Sequence, residues 1–131
     1  MSPVEASLRS ARTIAVVGLS SNPLRPSHGV AAYLQAHGYR IIPVNPGETS
    51  VLGEKAYPRL EDVPVPVDIV DVFRRSDAVP EIAASAIANG AKMLWLQEGV
   101  THPAAEAQAR AAGLLVVSDR CILKAHRALR P

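Results

Sequence analysis

Short apolar runs rich in β-branched residues recur along the chain with helical stretches between them, and this alternation constrains the fold more than any other feature. Ile14-Ala15-Val16-Val17 is one such run, stopped by Gly18. Residues 39–44, 67–73, 92–96 and 114–118 supply four more, and 52–57 offer a short edge strand. Between the runs, Val30, Ala31 and Leu34 keep helical spacing, as do Val79, Ile82, Ala83, Ala86 and Ile87, and an alanine-rich stretch lies between Thr101 and Gly113. Residues 121–129 complete the pattern as a terminal helix. Ser27, Asp77 and Thr101 are the expected N-caps of the internal helices, with Gly38, Gly90 and Gly113 beyond their ends. Pro80 and Pro103 fall in first turns, where proline is tolerated. Pro43 sits inside a strand and puts that strand's last pairing at risk.

Strands alternating with helices make a mostly parallel sheet covered on both faces, an α/β doubly wound, Rossmann-like architecture. With the short edge strand included, the expected order in chain count is 3-2-1-4-5-6, and the ligand crevice falls between strands one and four. The loops after Val17 and Phe73 then face each other. The length of 131 residues suits one domain spanning 1–131.

Charge and composition narrow the ligand. A net charge of +2 and an aromatic content of 4% give neither the basic stripe nor the stacking platform of a nucleic-acid binder. No apolar run approaches the roughly 18 residues of a membrane span, and the first residues carry charge too early for a signal peptide, so a cytoplasmic protein is expected. The single Cys121 agrees with a reducing compartment. Anionic small molecules, by contrast, suit Arg25, Arg74 and Arg75, which fall beside strand ends.

The segment from Gly18 to Gly29 joins the first strand to the first helix, where such folds bind phosphate through free N–H groups and the positive end of the helix dipole. Gly18 permits a close turn, and Ser20 and Ser21 offer hydroxyls. The dinucleotide fingerprint is incomplete: Ser20 stands where its second glycine belongs, and Val44-Asn45 stand where the ribose-binding acid belongs. His28, His37, His102 and His126 show no paired spacing, so no metal site is expected. Cys121 and His126 are five apart on a helix and point to different faces, which argues against a nucleophile and base pair. Glu98 is a lone carboxylate at a strand end. Cys121 begins the last helix beside Arg120, a setting that favours thiolate chemistry, yet its strand lies three positions from the first, roughly 14 Å away at ordinary strand spacing.

The runs VVGLSSNPLRPSHGVAAYLQAHGYRIIPVNP, LGEKAYPRLEDVP, VDIVDVFRR, GAKMLWLQEGV and VVSDRCI follow one another over nearly the whole chain. In that order they resemble the small stand-alone coenzyme A (CoA)-binding proteins, a family similar to the N-terminal CoA-binding domain of the succinyl-CoA synthetase alpha subunit. The resemblance implies that Gly18, Ser20, Ser21 and Arg25 hold the diphosphate of CoA, with Ser27 at the helix start beside them. By the same resemblance, Val44-Asn45-Pro46 flank the adenosine and Phe73-Arg74 line the opposite wall. It further implies CoA or acyl-CoA as ligand and a non-catalytic module that acts as sensor, carrier or subunit, with a protein partner or as a homo-oligomer. Synthetases of this kind also use a phosphohistidine-bearing domain and a nucleotide-binding partner, neither of which is expected in these 131 residues. The alternative on the same fold is an NAD(P)-binding oxidoreductase or regulator, disfavoured by Ser20 and Asn45.

Overall fold

A computed structural model describes residues 1–129. The chain runs α1 (Pro3–Ser10), β1 (Thr13–Val17), α2 (Pro26–Ala36), β2 (Arg40–Val44), a hairpin of β3 (Ser50–Val51) and β4 (Glu54–Lys55), then β5 (Ile69–Val72), α3 (Val79–Asn89), β6 (Met93–Leu96), α4 (Pro103–Ala111), β7 (Leu115–Val117) and α5 (Ile122–Arg127). Single 3₁₀ turns occupy Leu60–Asp62 and Ser76–Ala78. The central sheet is parallel throughout, in the order β2-β1-β5-β6-β7.

Both faces of this sheet are covered, which is why its strands read as continuous apolar runs. Ile14, Val16, Ile41, Ile69, Met93 and Trp95 pack with Leu8 of α1, Val30 and Leu34 of α2 and Ile122 of α5. On the opposite face, Ala15, Val17, Val70, Val72, Leu94 and Leu96 pack with Ile82 and Ala86 of α3 and with Ala105 and Ala109 of α4. The crossover from β1 to β2 therefore lies on one face and those from β5 onward on the other. The strand order reverses between β1 and β5, and that junction opens the crevice expected from the sequence.

The expected third strand does not extend the sheet. Leu52 and Gly53 both take positive φ, 56° and 77°, and turn the segment back on itself as the β3-β4 hairpin. What reaches the sheet is one parallel bridge between Tyr57 and Val44. That bridge also answers the doubt over Pro43. Its carbonyl accepts from Tyr57 N at 3.0 Å on the outer side of β2, where proline's missing N–H is not needed by β1, and Val16-Pro43 and Val17-Val44 pair normally.

The three expected caps are corrected. Ser27 lies inside α2 with its hydroxyl turned to the preceding loop, and Arg25 takes the cap position without a side-chain bond. Asp77 falls in the 3₁₀ turn before α3, and Ala78 is the cap residue there. His102, not Thr101, caps α4 by accepting Ala105 N–H on Nδ1. α1 has no counterpart among the expected elements. It begins with Ser2 accepting Glu5 N–H and Pro3 in the first position, and Tyr39 anchors it by donating its hydroxyl to the Leu8 carbonyl.

Candidate functional site

The C-terminal edge of the sheet carries the candidate site, and Gly18 fixes its shape. Its φ of +90° suits glycine, and a Cβ there would sit 2.5 Å from the Phe73 carbonyl oxygen. The loops after β1 and β5 are thus pressed together, as expected. Gly18 N–H donates to the Val44 carbonyl at 2.8 Å, so the β2 end joins the same junction.

Beyond Gly18 the loop is held by its own polar groups. Ser20 N–H donates to Ser27 Oγ at 3.1 Å, while His28 Nδ1 lies 3.0 Å from the Ser20 carbonyl. Asn22 N–H donates to Ser20 Oγ and Leu24 N–H to Asn22 Oδ1. With no side chain capping α2, the positive end of its dipole faces the crevice. Asn45 ties the β2 end to this loop by donating its amide to the Leu19 carbonyl at 3.0 Å.

Three adjoining cavities run along this edge. One of about 330 Å³ is lined by Gly18, Ser20, Arg25, Ser27, Asn45 and Phe73. A second of about 380 Å³ lies beside β2, with Val44, Pro46, Arg59 and Arg74 in its wall. A third of about 600 Å³ passes Phe73 and Arg74 to Gln97, Val100 and Cys121. Shared residues make them one groove: Phe73 borders the first and third, and Arg74 the second and third. Every residue of the expected cofactor-binding set except Ser21 lines this groove.

Ser21 points elsewhere. Its N–H donates to the Glu48 carboxylate at 2.7 Å. That bond foremost, with the Ser21 side chain beside it, holds Glu48 below the usual carboxylate range. The sequence led to no carboxylate at the end of β2, but Asn45 forms a side-chain turn with Gly47 N–H at 2.9 Å that folds Glu48 back over the β1 loop. A reach of this kind is set by the turn and is not visible in spacing.

The far part of the groove holds residues that sequence reasoning did not assign. Gln97 is buried in its wall and donates Nε2 to Asp71 Oδ1 at 2.6 Å. Asp71 is wholly buried in β5, and its Oδ2 has no hydrogen-bond partner among the described residues. Burial pushes its pKa up to about 8 against the opposing Gln97 bond, which favours the protonated acid. The only sequence signal was an acid at an inward position between Ile69 and Phe73. Cys121 borders the groove because α5 returns over the sheet towards α2, so strand separation does not measure its distance from the site. Glu98 pairs with Lys124 at 3.2 Å on the exposed rim. Arg75 is exposed and stands 3.9 Å from Asp77.

Among the described residues, no group of three or more His, Cys, Asp or Glu is placed to hold a metal ion, and no helix is long and apolar enough to cross a membrane. His126 packs at the opposite end of the molecule against Tyr33 and His37, with Nδ1 2.8 Å from the Tyr33 hydroxyl. Its pKa is lowered by burial, then by His37 and Arg9.

Known proteins resemble this chain in sequence or in fold. YneT, an uncharacterised protein of Bacillus subtilis (strain 168), is 42% identical over 119 residues, covering 91% of this chain and 88% of YneT. A hypothetical protein from Pyrococcus horikoshii OT3 superposes with a TM-score of 0.93 at 37% identity, over 96% of this chain and 89% of that one. Acetate–CoA ligase [ADP-forming] II of Archaeoglobus fulgidus is 31% identical over 83 residues, which span 62% of this chain and 12% of the ligase. The model of the CoA binding domain family matches residues 12–127, and the chain belongs to that family.

Proposed function

We propose that this chain binds CoA or an acyl-CoA along the groove at the C-terminal edge of its sheet, as a single domain spanning 1–131. The observation that carries this reading is the continuity of the groove, which offers in sequence a phosphate-type loop, an apolar pocket beside β2 and a long arm past Phe73. In this placement Gly18, Ser20, Arg25 and Ser27 take the diphosphate, with Ser21 outside the groove as long as Glu48 holds its N–H, Val44, Asn45 and Pro46 flank the adenosine, and Phe73 and Arg74 border both. The pantetheine arm runs towards Gln97 and Cys121. Arg is suited to the diphosphate because its planar fork can make two bonds to one phosphate.

The module is read as non-catalytic, a sensor, carrier or subunit working with a protein partner. Among the described residues, Cys121 borders the groove, whereas His126 is bonded to Tyr33 at the other end of the fold, so the two are not paired. The matched segment of the Archaeoglobus ligase is a small part of that enzyme, so its activity is not carried over.

Thermal denaturation with CoA, NAD and NADP tests the ligand. Binding to the native state alone adds about 2.7 kcal/mol at a hundredfold excess over Kd, so CoA raises the melting temperature and the nicotinamide nucleotides do not. Arg25→Ala and Arg74→Ala each weaken CoA by about 1.5 to 3 kcal/mol, the worth of a hydrogen bond to a charged group. Equal, negligible shifts with all three nucleotides contradict the reading.

A further inference from the structure

Glu48 occupies a donor that a phosphate-binding loop would offer its ligand. The Ser21 N–H donates to its carboxylate at 2.7 Å, and among the described residues no Lys or Arg forms an ion pair with it. The side chain is placed by a braced turn: Glu48 N–H donates to the Asn45 carbonyl at 3.2 Å, Gly47 N–H to Asn45 Oδ1, and the Asn45 amide to the Leu19 carbonyl. The loop thus carries an internal anion, presented by β2 to the loop after β1. A phosphoryl oxygen and this carboxylate cannot share that donor, because like charges at that separation repel strongly.

We infer that Glu48 is an internal stand-in for a ligand phosphate, holding the Ser21 N–H in the free protein and leaving it when a polyanionic ligand enters. Glu48 then acts as a charge-selectivity residue. A ligand must bring enough negative charge to engage Arg25, Arg74 and the α2 N-terminus as well as to displace the carboxylate. Neutral or singly charged ligands leave Glu48 in place and bind poorly. The inference rests on the CoA reading for the identity of the ligand, but the competition at Ser21 applies to any diphosphate.

The test is calorimetric titration of the parent, Glu48→Gln and Glu48→Ala with CoA and, separately, with inorganic pyrophosphate. Glu48→Gln keeps an oxygen acceptor for Ser21 N–H and removes only the charge, and melting temperatures verify that each variant is folded. Removing the competitor tightens both ligands by about tenfold. In the parent, pyrophosphate shifts the Ser21 amide resonance as the carboxylate leaves. Pyrophosphate binding that is unchanged or weaker in the folded variants overturns the inference, as does silence of all three proteins towards pyrophosphate. Tighter pyrophosphate without any CoA binding retains the stand-in and overturns CoA as the ligand. CoA binding unaffected by either substitution does the reverse.

Discussion

Asp68 and Asp71 stand three residues apart around the start and middle of β5, and their surroundings treat them in opposite ways. Asp68 lies at the N-terminal edge of the sheet. Its Oδ2 accepts from Arg12 N at 2.7 Å, Thr13 N at 3.1 Å and Thr13 Oγ1 at 3.3 Å, and Lys92 Nζ stands 3.4 Å from Oδ1. Burial works against its charge, but the two N–H bonds and Lys92 outweigh it and hold its pKa below the usual value. Asp71 is nearer the C-terminal edge, with one bond from Gln97 and one oxygen without a hydrogen-bond partner among the described residues. One end of the sheet is thus closed by satisfied polar groups, while the other keeps an energetically costly acid beneath its groove. Departures from local rules concentrate where a fold does its work.

Gly18 gives the largest expected effect at the open end. Gly18→Ala forces a Cβ against the Phe73 carbonyl and strains a φ of +90°, so a loss of about 3 kcal/mol is expected in urea unfolding. At the closed end, Asp68→Ala leaves the Arg12 and Thr13 N–H groups without their acceptor and costs about 2 kcal/mol. Because the folded pKa of Asp68 is depressed, its contribution is present above the unfolded value and is lost as pH falls through the folded one.

Asp71 has the opposite sign. A carboxyl raised to about 8 stabilises the fold fully only below its unfolded pKa, and that stability is lost as pH rises towards 8. Asp71→Asn is therefore expected to raise stability by more than about 1 kcal/mol at pH 7.5, with the gain vanishing near pH 4. A variant no more stable than its parent across that range breaks the contrast between the two acids. The smallest effect concerns Cys121: with CoA in the groove, its alkylation by a small reagent slows severalfold, read by intact-protein mass. An unchanged rate removes the far arm of the groove from the ligand path.

Much of this was legible in the chain because both faces of a parallel sheet are buried, so strands such as Ile14 to Val17 announce themselves by hydrophobicity alone. The crevice followed from strand order, and the loop from Gly18 through Ser27 followed from its position at a strand-to-helix junction. The caps were less legible, since Ser27 had two uses for its hydroxyl and the Ser20 N–H took it. α1 went unread, although it was readable from Ser2, Pro3 and Glu5, which form an ordinary helix start. Glu48 and Gln97 were not. Each acquires its place through a partner 26 or 27 positions away, and no local pattern carries that.

Amide chemical-shift mapping with CoA tests the central claim most directly, because it reads both ends of the sheet in one titration. Saturable shifts are expected at Gly18, Ser20, Ser21, Arg25, Ser27, Asn45, Phe73 and Arg74, continuing to Gln97, with Arg12, Thr13 and Tyr39 at the closed end unmoved. Shifts centred on Arg12 and Tyr39, or none at saturating CoA, contradict the account.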